Sequence, residues 1–432
     1  MNVIWGILGI FCVLSLAFLL SNNKKRINIR TIIGGLLIQL SFAFIVLKWE
    51  TGQKILSWLA LKIQDIINYT NEGIGFLFGG LIGNESIGFI FAFQVLTVII
   101  FFSSLISVLY YLGIMQWFIK IIGGGLSKLL GTSQAESMSA AANIFVGQTE
   151  APLVIRPYIA KLTQSELFAV MTGGLASIAG SVLIGYSLLG IPLEYLLAAS
   201  FMAAPAGLII AKIIVPETET VTELGTAVAK IETKQEVETA ATAEIQQGIV
   251  PLEEKIEMEE EKPANVIDAA ARGASDGLML ALNVGAMLLA FIALIALMNG
   301  ILSGIGGWFG FESLSLELIL GYIFAPIAFV VGVPWNDVLQ AGSFIGQKIV
   351  LNEFVAYAAF APEMENLSAK TNIVVSFALC GFANLGSLAI LIGGLGGLAP
   401  NRRKEIANFG IRAVIAGSLA SLLSAAIAGM LL

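Results

Sequence analysis

Residues 143–152 read Asn143-Ile144-Phe145-Val146-Gly147-Gln148-Thr149-Glu150-Ala151-Pro152, and they set an amide, a hydroxyl and a carboxylate inside a long apolar stretch. A second segment, Asn352-Glu353-Phe354-Val355-Ala356-Tyr357, does the same two hundred residues on. A charged side chain at the centre of a bilayer costs about 2.5–3.5 kcal/mol on insertion scales, so each such residue needs a use. Gly147 permits unusual backbone angles and Pro152 breaks a helical ladder, so residues 131–162 are expected to turn back as a re-entrant hairpin with polar groups at its tip. Residues 335–361 are expected to form a second hairpin around Glu353.

The rest of the chain supplies the membrane. Of its 432 residues 57% are hydrophobic and 12% charged, and the mean hydropathy is +0.89, outside the range of soluble domains. Apolar blocks at 1–20, 31–49, 86–120, 163–190, 192–214, 268–302, 369–398 and 407–432 each approach or exceed the roughly 20 residues that a crossing helix requires. Met1–Leu20 has no basic leader and no small-residue cleavage site, so it is expected to be a membrane helix rather than a signal peptide. Residues 52–69 instead set Ile55, Leu59, Ile63 and Ile66 against Lys54, Lys62 and Asp65, the pattern of a helix lying in the interface. The formal net charge of −7 offers nothing to nucleic acid, and none is expected as a partner. Much of that charge sits in 216–262, which reads as a solvated linker.

Basic residues orient the spans, because loops rich in Lys and Arg stay inside. Lys24, Lys25, Arg26 and Arg30 mark one inside loop; Lys120 and Lys128, Lys212, and Arg402, Arg403 and Lys404 mark others. These anchors agree only if both hairpins enter and leave on one side and 314–332 does not cross. The expected fold is an all-α polytopic membrane protein with eight transmembrane helices, two re-entrant hairpins and both termini outside. Glu150 and Glu353 lie 203 positions apart, as do Ser181 and Asn384, and each hairpin is followed by a helix interrupted by small polar residues. Opposite orientation of the two units makes them inverted repeats. The resulting divisions are 1–130 for N-terminal and interfacial helices, 131–214 for the first repeat and 215–265 for the acidic linker. A long scaffold helix with an interfacial segment takes 266–332, and the second repeat takes 333–432.

Several chemistries are excluded. The chain has no histidine, which removes His-ligated zinc and haem and every nucleophile–histidine pair. No phosphate-binding GxxxxGK[ST] loop occurs, and the aspartates lie in flanks and linkers, so neither an ATP-driven pump nor an aspartyl protease is expected. Cys12 and Cys380 both sit in apolar context and are expected to be packing residues. An enzyme is not expected; a channel stays open on physics alone. The Gln148, Thr149 and Glu150 cluster suits a flat polar ligand edge. Glu353 with Asn384 and Ser387 suits vicinal hydroxyls, with Phe382 offering a ring for stacking or simply packing in the core. Asn143, Ser177 and the carbonyls of Val146 and Ile178 are oxygen donors beside helix interruptions, the type of ligand a hard cation takes.

The run Gly147-Gln148-Thr149-Glu150-Ala151-Pro152-Leu153-Val154-Ile155-Arg156-Pro157-Tyr158, with Asn352–Tyr357 and Ala378–Asn384, resembles the signatures of the concentrative nucleoside transporter family, and the similarity extends over nearly the whole chain from the second helix. That resemblance implies a homotrimer that moves nucleosides uphill by an elevator-like motion in the inner membrane. It implies that Gln148, Thr149, Glu150 and Phe382 face the base, that Glu353, Asn384 and Ser387 hold the ribose, and that Asn143, Val146, Ser177 and Ile178 hold Na⁺. Presence of both Asn143 and Ser177 favours sodium over the proton coupling of some bacterial members; Gly147 and Ser177 lean towards both purine and pyrimidine nucleosides. It assigns the acidic linker no role.

Overall fold

A computed structural model describes residues 2–79, 90–219 and 263–431, and among them every regular element is helical. The linker expected over 215–265 falls mostly outside these residues. Among the described residues six helices are long and apolar enough to cross a membrane, including Ile29–Leu47, Leu193–Ile214 and Val266–Trp308. We number the helices used below α1 (Asn2–Leu19), α2 (Ile29–Leu47), α3 (Glu50–Phe78), α4 (Leu96–Tyr111) and α5 (Ile114–Leu130).

The structure changes two sequence expectations here. The interfacial helix expected at 52–69 is α3, which runs 29 residues, with Trp58, Leu61 and Tyr69 exposed on one face. The apolar block at 86–120 is not one helix. It stops at Tyr111 and restarts at Ile114, because Gly113 adopts a left-handed φ of 78° between α4 and α5. Lys120 and Lys128 therefore belong to α5, an amphipathic helix with Trp117 and Phe118 exposed.

Next the chain lays down one order of elements twice. The first set is a hairpin, α6 (Gln134–Ala142) returning through a 3-10 turn at Ala151–Ile155, then the broken pair α7 (Gln164–Ala176) and α8 (Gly180–Leu188), then α9 (Leu193–Ile214). After α10 (Val266–Trp308) and α11 (Leu316–Val330), the second set follows: hairpin arms α12 (Val338–Val350) and α13 (Glu353–Phe360), broken pair α14 (Ala369–Leu379) and α15 (Leu385–Leu398), and α16 (Arg403–Met430). Local chemistry fixes the starts. Ser133 with Glu136 and Thr163 with Glu166 form reciprocal capping boxes on α6 and α7. Asn352 and Asn384 cap α13 and α15 through their side-chain oxygens.

These two sets are the core. α7, α9 and α16 are buried almost throughout and pack on one another, whereas α10 has few buried positions. α10 is about 65 Å long at ~1.5 Å per residue, and it packs mainly on α4, where Gly273 and Gly277 let Ser103 and Ser107 approach. α11, at about 22 Å, is shorter than the roughly 30 Å hydrocarbon core and pairs with α12. Lys212 of α9 meets Glu136 of α6 at 2.6 Å and donates to Ser165 of α7 at 2.9 Å. That buried ion pair locks the first hairpin to its neighbours.

Candidate binding site

The two breaks meet. Between α7 and α8 the backbone is extended from Ser177 to Ala179, and between α14 and α15 it unwinds from Cys380 to Ala383. The Phe382 N–H donates to the Ser177 carbonyl at 3.1 Å, which joins one break to the other. This approach requires Gly381: a Cβ there would lie 2.9 Å from the Ala176 carbonyl oxygen. The Gly180 N–H in turn donates to the Phe145 carbonyl at 3.0 Å, tying the first hairpin to the first break. Breaking four half-helices at one place leaves backbone groups and helix ends for a ligand.

A cavity opens beside this junction, a concave space of the kind small-molecule sites occupy. All seven residues expected to bind substrate line it: Gln148, Thr149, Glu150, Glu353, Phe382, Asn384 and Ser387. They divide by element. Gln148, Thr149 and Glu150 come from the turn of the first hairpin, Glu353 from the first position of α13, and Phe382, Asn384 and Ser387 from the second break and the start of α15.

The Glu353 end is tightly organised. Its Oε1 accepts from the Tyr186 hydroxyl at 3.1 Å and its Oε2 from Asn384 Nδ2 at 2.8 Å. Asn384 Oδ1 accepts the Ser387 N–H at 2.7 Å, so the amide is held at both ends. Asn384 is the capping residue of α15 and Ser387 the third residue of the helix that it caps. A carboxylate with both oxygens oriented and lone pairs to spare is a strong acceptor for two adjacent hydroxyls.

The Glu150 end is looser. Glu150 is exposed to the cavity and its Oε2 accepts the Gly147 N–H at 2.9 Å. Gly147 does not use a left-handed conformation, contrary to the sequence expectation; it supplies that N–H and lies close to Ala179. Gln148 is buried with its Oε1 unpartnered, and Phe382 is half-buried against the same space. An amide, a hydroxyl, a carboxylate and a ring with unused capacity can read a planar heteroaromatic edge.

Behind the wall, Asn143 is 1% exposed and neither Oδ1 nor Nδ2 has a hydrogen-bond partner. Ser177 donates its hydroxyl to the Gly173 carbonyl at 2.9 Å and keeps its lone pairs. No backbone N–H of the described residues donates to the carbonyls of Val146 or Ile178. Four neutral oxygens of the first hairpin and first break are thus left with spare acceptor capacity, and they are the ligand type that a hard monovalent cation takes. Among the described residues no cluster of His, Cys, Asp and Glu could hold a metal.

Sequence reasoning missed three parts. Leu280, Val284, Met287, Leu288 and Phe291 of α10 form the opposite wall, but their apolar composition does not separate them from lipid-facing neighbours. Tyr186, the partner of Glu353, carries no sequence signal. Lys348 does: it is a charge inside an apolar run of the second hairpin, legible by the rule that singled out both glutamates.

Known proteins agree with this geometry. Residues 8–81 and 195–429 match the family models described as the N-terminus and the C-terminus of Na⁺ dependent nucleoside transporters, and 92–192 match one described as nucleoside recognition. The chain is 58% identical to the uncharacterized transporter YutK of Bacillus subtilis, over 100% of both chains. It is 48% identical to the nucleoside permease NupC of Helicobacter pylori, over 99% of this chain and 97% of that one. The solved structure of CNTnw in an inward-facing substrate-bound state is 52% identical, covers 100% of this chain and 98% of its own, and superposes with a TM-score of 0.88. A variant of CNTnw in an outward-facing state gives a TM-score of 0.91 at the same coverage. The likeness to one transporter in two states fits an elevator-type fold built of inverted repeats, and no enzymatic activity attaches to the family. With broken helices, paired hairpins and a cavity into which their polar residues converge, this chain belongs to the concentrative nucleoside transporter family.

Proposed function

We propose that this chain is a sodium symporter that imports purine and pyrimidine nucleosides across the bacterial plasma membrane. The observation that carries the reading is the convergence of seven selected side chains on one cavity, with a buried, unpartnered Asn143 beside it. In this reading Gln148, Thr149, Glu150 and Phe382 take the base, while Glu353, Asn384 and Ser387 take the ribose. Na⁺, a co-substrate, is held by Asn143 and Ser177 side chains and by the Val146 and Ile178 carbonyls. Sodium bridges the first hairpin to the first break, so its binding would stiffen the turn that carries Gln148, Thr149 and Glu150. That is a direct route from ion to substrate affinity.

The two repeats, 131–214 and 333–432, would move as the transport unit together with α1 and α2, which pack on α16 and α9; 266–332 and α4, which packs on α10, would form the frame. α10 exposes Leu289 at 77% and Trp308 at 84%, apolar surface that the lipid bilayer and two further copies in a homotrimer would cover. Both termini lie outside in this arrangement. The test is uptake of radiolabelled uridine and adenosine into proteoliposomes with Na⁺ and proton gradients imposed separately. Accumulation above equilibrium under the sodium gradient alone is expected. Accumulation under the proton gradient alone would replace sodium by proton coupling, and equilibration without accumulation would make the protein a passive pathway.

A further inference from the structure

The inner bundle holds a third buried charge beside the cavity, and neither substrate nor sodium uses it. Lys348 is 1% exposed, in the last turn of α12. Its Nζ donates to the Ala378 carbonyl at 3.1 Å and to Ser421 Oγ at 2.8 Å, and it forms no ion pair among the described residues. Two neutral oxygens around a buried positive charge are the ligand chemistry of an alkali cation rather than of a salt bridge. Ala378 belongs to the last turn of α14, where carbonyls point out of the helix and its dipole is negative.

The position gains meaning from the repeat. In the first set the proposed sodium ligands bridge a hairpin (Asn143, Val146) to the end of the first half-helix (Ser177, Ile178). The offset of 203 carries Asn143 to Gly346 and Ser177 to Cys380. The second set has therefore lost both side-chain oxygens. In their place an ammonium from the same hairpin reaches the end of the same half-helix. The charges also balance: the cavity carboxylates of Glu150 and Glu353 stand against Lys348 and one Na⁺.

We propose that the Lys348 ammonium is a built-in cation, standing where the second repeat would otherwise bind a second sodium, and that it sets the carrier to one Na⁺ per nucleoside. This rests on the sodium site proposed above. Removing the ammonium leaves a set of neutral oxygens with an uncompensated carboxylate nearby, which external sodium must then fill.

The test is sodium activation of uridine uptake by wild type and Lys348→Met in proteoliposomes, with sodium-dependent uridine binding in detergent wherever turnover is lost. Wild type is expected to follow a single-site curve. Lys348→Met is expected to need about tenfold more sodium, with a Hill coefficient rising from one towards two. A folded variant with wild-type sodium constants, or one that binds no uridine at any sodium concentration, overturns the inference. Should Lys348→Met not assemble, Lys348→Gln keeps the length and a polar tip and is read in the same way. Loss of the sodium response in wild type would instead remove the sodium site itself, an outcome separate from any result on Lys348.

Discussion

Glu353 shows how one side chain can be prepared for a ligand before the ligand arrives. Tyr186 and Asn384 each donate to one of its oxygens, so the carboxylate does not have to reorganise on binding. Glu353→Gln keeps the shape but turns an acceptor into an NH₂ group facing one of two donors. Hydrogen bonds to charged groups are worth about 1.5–3 kcal/mol each, so a loss of uridine uptake of about a hundredfold is expected. Assembly, read by size-exclusion chromatography, should not change; uptake near the wild-type level would take Glu353 out of the site. Asn143 makes the complementary case. Its amide has no protein partner, so Asn143→Ala removes nothing that the fold uses. The expected result is a rise of about tenfold in half-saturating sodium, the scale of one lost charge-assisted contact, with the ratio of uridine to adenosine uptake unchanged. A shifted base ratio with unchanged sodium activation would assign Asn143 to substrate instead.

At the scale of elements, the junction of the two breaks is the part that the chain can least afford to disturb. Gly381→Ala would drive a Cβ to 2.9 Å from the Ala176 carbonyl oxygen, and backbone on both sides would have to shift. Overpacking of this kind costs about 1–3 kcal/mol, so a lower melting temperature in detergent and weaker uridine binding are expected together. Gly393→Ala is the control, since nothing lies within 4 Å of a Cβ there, and it should be neutral or slightly stabilising. Equal behaviour of the two variants would mean that the breaks do not depend on close approach. Much of this scale was legible beforehand. The interruptions at Ser177–Ser181 and Gly381–Ser387 stand out as polar residues in apolar runs, and the lone charges Glu150 and Glu353 mark the hairpins. The division between α4 and α5 was not legible, because hydropathy stays high through Leu112 and Gly113 while the backbone turns left-handed. Lys348 is less legible than the glutamates because a lysine in an apolar segment can snorkel to the interface, and only tertiary structure places its ammonium under Ser421.

At the scale of the molecule, the repeats and the frame meet across the cavity. One side is Leu280, Val284, Met287, Leu288 and Phe291 of α10; the other is Leu351, Phe354 and the polar residues of the hairpins. The α10 side is entirely apolar and offers no directional bond that would fix one register. Such a surface lets the inner bundle slide without breaking hydrogen bonds, as an elevator motion requires. A cysteine pair at Val284 and Leu351, in a Cys12→Ser, Cys380→Ala background, tests this with a short bifunctional thiol reagent. Cross-linking is expected to stop uptake, and a reducible reagent should restore it on reduction. Sodium with uridine should also change the rate of cross-linking, because loading shifts the population of positions along the path. A fully cross-linked protein that still accumulates uridine would show that these two surfaces do not move past each other, and the moving boundary would then have to lie between other elements, such as α9 and α2, which pack together at the bundle's edge.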